Sequence, residues 1–198
     1  MKIYNLICKS VRNVELRFFQ LYNIRKLRKH LTFQSCHTLL QSLVVSHLDY
    51  ANSLYSGLPT CVISKLQRLQ NSAVRVLYRQ PKCAHVTPHF REAHWLPVQY
   101  RIKFKILTLV FNSLNGNGPA YISDLLVTRT NTYHRTRSVE NGDLFGPRVR
   151  TKFGERALSY AGPKLWNDLP MEIRASNCIN KFIKKLKTYF YCQFFQEF

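Results

Sequence analysis

The stretch Arg91-Glu92-Ala93-His94-Trp95-Leu96-Pro97-Val98-Gln99-Tyr100-Arg101-Ile102-Lys103-Phe104-Lys105-Ile106-Leu107 decides how the chain is read. Proline lacks a backbone donor and disfavours helix at the residue before it, so Pro97 predicts a break after Leu96. The break falls within an apolar run, Trp95 to Val98, so a buried corner between two helices is expected. Beyond it Ile102, Ile106, Leu109 and Val110 recur at helical spacing, while Arg101, Lys103 and Lys105 point elsewhere.

The same pattern extends both ways. Upstream, Ile63, Leu66, Leu69, Ala73, Val74 and Leu77 predict a helix over 60–79 with Thr60 as its cap. Lys65, Arg68, Arg75 and Arg79 form its basic side. Before it, Thr32 is expected to cap a nearly uncharged helix that buries Cys36, Leu39, Leu40, Leu43, Val44, Leu48, Ala51 and Leu54, stopped by Gly57-Leu58-Pro59. The first helix is expected from Glu15, with Leu16, Phe19, Ile24, Leu27 and Leu31 inward and the block Arg25, Lys26, Arg28, Lys29 and His30 outward. Thr87-Pro88 predicts a short helix leading into the corner. Downstream, the helix after Pro97 should stop at Asn115-Gly116-Asn117-Gly118-Pro119, with a brief helix from Tyr121 to Leu126. Residues 127–150 read as a loop or two short strands carrying Arg129, Arg135, Arg137, Arg148 and Arg150, with a turn at Asn141-Gly142. Short strands are expected over 151–163. Trp166 sits in a second apolar corner between Pro163 and Pro170. A last helix places Ile179, Phe182, Ile183, Leu186 and Phe190 opposite Lys181, Lys184, Lys185 and Lys187. The expected fold is mainly α: a tail over 1–14, a helical bundle over 15–80, a helical extension over 81–126 and a small α+β region over 127–198.

Composition narrows the function. Thirty Lys and Arg against ten Asp and Glu give a formal net charge of +20. Such an excess repels itself in a compact chain and persists most naturally opposite a polyanion, nucleic acid before an anionic membrane. No apolar run is long enough for a transmembrane helix, and the N-terminus lacks the pattern of a signal peptide. The scattered cysteines, Cys8, Cys36, Cys61, Cys83, Cys178 and Cys192, form no CxxC pair. They are expected to be reduced, mostly buried thiols of a nuclear or cytoplasmic protein.

Three ordered blocks carry a resemblance. The first runs from Tyr22-Asn23-Ile24-Arg25-Lys26-Leu27-Arg28-Lys29 to Ser46-His47-Leu48-Asp49-Tyr50-Ala51-Asn52-Ser53-Leu54 and Gly57-Leu58-Pro59. The second joins Leu66-Gln67-Arg68-Leu69-Gln70-Asn71-Ser72-Ala73-Val74-Arg75 to His94-Trp95-Leu96-Pro97-Val98 and Arg101 to Leu107. The third holds Gly154-Glu155-Arg156-Ala157, Pro163 to Pro170, and Phe182-Ile183-Lys184-Lys185-Leu186-Lys187. Over about residues 15–190 the chain resembles the C-terminal part of the reverse transcriptase of non-LTR (LINE-type, Jockey-like) retrotransposons. That region comprises a thumb, which grips the template–primer duplex, and a C-terminal extension. The resemblance implies RNA and DNA as partners and, as a protein partner, the missing palm and fingers of a parent polymerase.

Catalysis is not implied. Polymerisation needs paired carboxylates holding two metal ions. The parent enzyme would hold Mg on a palm Asp-Asp pair that this chain lacks, and the upstream endonuclease is absent too. No cofactor is therefore expected. The expected phosphate contacts are Arg25, Lys26, Arg28, Lys29, Lys65, Arg68, Arg75, Arg101, Lys103, Lys184 and Lys187, which grip backbone oxygens without reading sequence. The competing expectation is a protein-interaction module, or an inert truncated product, with exposed apolar faces. Cys83, His85, His89 and His94 fall within twelve positions but match no familiar zinc spacing. Ser46-His47-Leu48-Asp49 and Cys36-His37 do not converge as a nucleophile and base would. The basic, aromatic last helix is expected to pack as part of the domain rather than lie on a membrane. Trp95 and Trp166 are expected to pack rather than stack on bases.

Overall fold

A computed structural model of the 198-residue protein describes residues 2–128 and 142–196, with side chains from Val14 onward. It is mainly helical, and no strand occurs among the described residues. The chain forms two compact units, Met1–Arg101 and Ile102–Phe198.

In the first unit, helix α1 (Lys2–Leu27) already includes most of the stretch expected as a tail. It buries Val14, Leu21, Ile24 and, in the turn that follows, Arg28. The expected inward residues Leu16, Phe19 and Leu27 are exposed, at 60%, 64% and 54%. The helix carries two apolar stripes, and α4 covers the one through Leu21 and Ile24.

Thr32 caps α2 (Phe33–Leu40) as expected, its Oγ1 accepting the Ser35 N–H at 3.2 Å. The long helix expected after it is interrupted. A π turn (Gln41–Val45) leads to α3 (Ser46–Asp49), Ala51 takes φ +51°, and a 3-10 turn (Asn52–Tyr55) follows. A π turn holds more residues than an α turn and rotates the apolar face. Leu40, Val44, Val45 and Leu48 therefore stay buried while Leu43 and Leu54 emerge.

Helix α4 (Thr60–Leu77) buries the expected stripe and adds Gln70; its N-cap is Pro59, not Thr60. It ends in a left-handed cap. Arg79 has φ +55°, the Gln80 N–H reaches Arg75 O at 2.8 Å and the Arg79 N–H reaches Val76 O at 3.3 Å. This pairing is the Schellman motif. Helix α5 (Thr87–Glu92) ends the same way: His94 has φ +51°, and Trp95 N–H bonds Phe90 O at 3.0 Å. Phe90 and Trp95, the two positions that such caps commonly fill with apolar side chains, are both buried.

The corner closes as the opening stretch predicts, with Trp95, Leu96, Pro97 and Val98 all buried. Two glutamines of α4 satisfy its backbone. Gln70 Nε2 donates to Leu96 O at 2.8 Å, and Gln67 Oε1 accepts the Val98 N–H at 2.9 Å. Gln67 Nε2 also reaches Gln70 Oε1 and Asn71 Oδ1, so the amides form one network. Helix α6 (Val98–Leu114) begins there and crosses into the second unit.

In the second unit α6 buries Ile102, Ile106, Leu107, Val110 and Phe111 and stops at Gly116, φ +71°. A one-turn helix α7 (Ala120–Ser123) follows. The strands expected over 151–163 are replaced by a 3-10 turn (Gly154–Arg156) and α8 (Leu158–Asn167), which contains Pro163. A Cβ on Gly162 would lie 3.1 Å from Val110 Cγ2, so this glycine lets α8 approach α6 closely. A short α9 (Met171–Arg174) and α10 (Ile179–Gln196) complete the unit around Phe111, Trp166 and Phe182, the phenylalanines stacked at 4.2 Å. Most of the expected 127–150 loop or strand pair, with Arg129, Arg135 and Arg137, lies outside the described residues. At its end Leu144 is fully buried and paired through both backbone groups with the Asn167 amide at 2.9 Å. One isolated bridge joins Thr128 to Leu144.

Candidate nucleic-acid interface

Lys65 and Arg68 lie on α4, Arg75 follows on the same helix, and Arg79 lies just beyond it. Steps of three and seven residues set Lys65, Arg68 and Arg75 on the side away from the buried stripe, and Arg79 lies past the last helical turn. Lys65, Arg68 and Arg79 are exposed and Arg75 is half-buried. Each arginine uses backbone carbonyls to hold its position: Arg68 Nε on Ser64 O, Arg75 Nε on Ala84 O and Arg79 Nη2 on Arg28 O. A guanidinium has five N–H donors, so these bonds leave others to face outward. From Lys65 to Arg75 the stripe extends about 15 Å at 1.5 Å per residue.

The block at the end of α1 splits in two. Arg25, Lys26 and Lys29 are exposed, and Lys26 Nζ sits 4.5 Å from the Tyr22 ring centroid. Arg28 is 9% exposed and turns inward. Its Nε and Nη2 donate to Val76 O and Leu77 O at 3.1 and 2.9 Å, and its Nη1 to Leu31 O at 2.8 Å. The last carbonyls of a helix lack intrahelical partners and carry partial negative charge, so a cation docks there. This corrects the expectation for Arg28: its guanidinium is consumed by the fold. It also places the exposed end of α1 beside the C-terminal end of α4.

Arg101 is corrected in the same way. Its Nη1 lies 2.8 and 2.6 Å from the two carboxylate oxygens of Asp49, and its Nε donates to Leu96 O at 2.9 Å. It braces the tryptophan corner. Lys103 is half-buried in the second unit, where Lys184 and Lys187 are exposed on α10. Among the first unit's acids, Asp49 is held by Arg101 and Glu92 contacts His89 Nδ1 at 3.5 Å; Glu15 is exposed. Little negative charge therefore opposes the α1 and α4 cations.

Among the described residues no three His, Cys, Asp or Glu side chains gather as metal ligands would. Cys83 and His85 are exposed, and His89 instead stacks on Tyr78 with centroids 4.5 Å apart. Asp49 and Asp143 are ion-paired with Arg101 and Arg174 respectively. Cys36 is fully buried, and burial pushes its thiol up against the weaker opposing pull of Arg28 and Arg79. The expectation of mostly buried thiols fails elsewhere: Cys61, Cys83, Cys178 and Cys192 lie on open helix or loop positions. Burial, then Arg17, lowers the pKa of His47, and Arg17 Nη2 stands 3.1 Å from His47 Nδ1. Trp95 and Trp166 are 4% and 5% exposed, so neither offers a ring to a ligand. Gln67 and Gln70 were not singled out by the sequence reading, although both fall within the quoted second block. No helix among the described residues is long and apolar enough to cross a membrane. No known protein family, no curated protein and no solved structure matches the chain.

Proposed function

We propose that the chain is a non-catalytic, nucleic-acid-binding piece of a LINE-type reverse transcriptase, in which a thumb-like helical bundle grips the template–primer backbone. The α+β character expected of the C-terminal extension, an RNA and DNA partner, and residence in nucleus or cytoplasm belong to the same proposal. The observation that carries it is the exposed cationic stripe of α4 beside the exposed end of α1, with almost no acid near either. The gripping residues are Arg25, Lys26, Lys29, Lys65, Arg68, Arg75 and Arg79, the last added because it is exposed and bonds Arg28 O at the end of α1. Lys184 and Lys187 form a separate basic face in the second unit. The test is the affinity for an RNA–DNA primer–template duplex measured across salt. A linear fall of log K with log salt, with slope about −0.9 per phosphate contacted, supports the reading. A flat dependence, or no binding at low salt, removes it.

The exposed second stripe of α1 favours another reading. Leu16, Phe19 and Leu27 give a monomer little benefit in water, whereas a protein-interaction module would bury them against a partner such as the missing palm. A folded sample that self-associates or captures a palm fragment, yet binds no duplex at low salt, favours this reading.

A further inference from the structure

Three rings run in series in the first unit. Phe33 meets Tyr78 edge-on with centroids 5.4 Å apart, and Tyr78 stacks on His89 at 4.5 Å and an interplanar angle of 21°. They come from three elements: the first turn of α2, the end of α4 and the middle of α5. The inner two are half-buried, while Phe33 is 47% exposed at the outer end. Glu92, on His89, holds the opposite end of the series. Exposed cations stand in the segments on either side of this series, while the immediate neighbours Thr32, Gln34 and Ser35 are exposed and uncharged. Lys29 and His30 lie in the turn just before α2, and Arg79 follows Tyr78 and is tied to that turn through Arg28 O at 3.3 Å.

A half-exposed ring on an aromatic support, with cations in the adjoining turns, suits one ligand class. Nucleobases stack on aromatic faces whatever their sequence, while neighbouring cations hold the phosphates on either side. We propose that Phe33, backed by Tyr78 and His89, is a stacking platform for an unpaired base, with Lys29 and Arg79 on the flanking phosphates. The platform adds base stacking on unpaired nucleotides, which a stripe gripping phosphates does not supply. It rests on the nucleic-acid reading above.

The experiment uses the full chain and a primer–template with a single-stranded overhang carrying 2-aminopurine, whose fluorescence is quenched by stacking. A blunt duplex of equal length is the control. The expected result is quenching on binding, lost in Phe33→Leu and kept in Phe33→Trp. Overhang affinity should fall about tenfold in Phe33→Leu, with blunt-duplex affinity unchanged. Phe33 is exposed, so the leucine variant should keep its fold, which circular dichroism checks. Binding without quenching, or quenching indifferent to Phe33→Leu, overturns the platform and leaves the backbone grip standing. No binding of either duplex removes both.

Discussion

Arg28 and Lys29 are neighbours in one basic block, and the fold gives them opposite work. Arg28 is spent on the carbonyls that end α4, and Lys29 faces water. Arg28→Met should therefore destabilise the protein by about 1–3 kcal/mol, the cost of leaving buried polar groups unsatisfied, and lower the urea midpoint. It should leave the salt slope of duplex binding unchanged. Lys29→Met should do the reverse, lowering the slope by about one contact at nearly constant stability. Little in the local sequence marks the difference, because two of the three carbonyls that hold Arg28 lie 48 and 49 residues away. His47 supplies a pH test. Its folded pKa is lowered from 6.5, so near neutral pH and above both states are unprotonated and the folded state keeps its full advantage. As pH falls through 6.5 the unfolded chain takes the proton more readily, and stability is lost. Urea midpoints at pH 7.5 and 5.5 should differ less in His47→Gln than in the natural chain. The effect should be small because His47 is exposed.

At the level of the element, what could be read from sequence was what is decided locally. Thr32 as a cap, the α4 stripe, the Pro97 break and the stop at Gly116 each depend on a few adjacent residues, and each appears where expected. Of the inward face of α1 only Ile24 was legible, because Val14 and Leu21 compete with Leu16, Phe19 and Leu27, and the packing of α4 and the segments around α2 decides between them. The π turn and the helix at α8 were hidden for a related reason. A widened turn has no composition of its own, and Ala161-Gly162-Pro163 discourages helix until close packing on α6 favours it. Nothing in the sequence pattern distinguishes the glutamines, yet Gln70 is fully buried and bonded to the corner. Gln70→Leu should cost about 1–3 kcal/mol, since it removes one donor to Leu96 O and leaves the Gln67 amide short of a partner. His94→Gly should act in the opposite sense. A non-glycine residue in the left-handed region costs about 1 kcal/mol, so glycine at this cap should raise the midpoint of thermal unfolding.

For the whole molecule the governing quantity is the net charge of +20. Ten acids cannot neutralise thirty Lys and Arg; among the described residues Asp49 pairs with Arg101, Asp143 with Arg174 and Glu92 with His89. Folding draws the remaining positive charges closer together, and their mutual repulsion opposes the compact state. Salt screens that repulsion, with a Debye length that shrinks from about 30 Å at 0.01 M to about 10 Å at 0.1 M. The free protein should therefore unfold at a higher temperature as salt rises over this range. A bound polyanion stabilises the same state by neutralising the exposed cations, and salt weakens that binding. With a primer–template duplex in excess, the unfolding temperature should be raised most at the lowest salt, and the gain over the free protein should shrink as salt is added. The two curves converge if the basic faces are the binding surface. Parallel curves would mean that the duplex is held by contacts other than charge, and coincident curves that it is not held at all. Differential scanning fluorimetry with and without duplex, over one salt series, distinguishes the three.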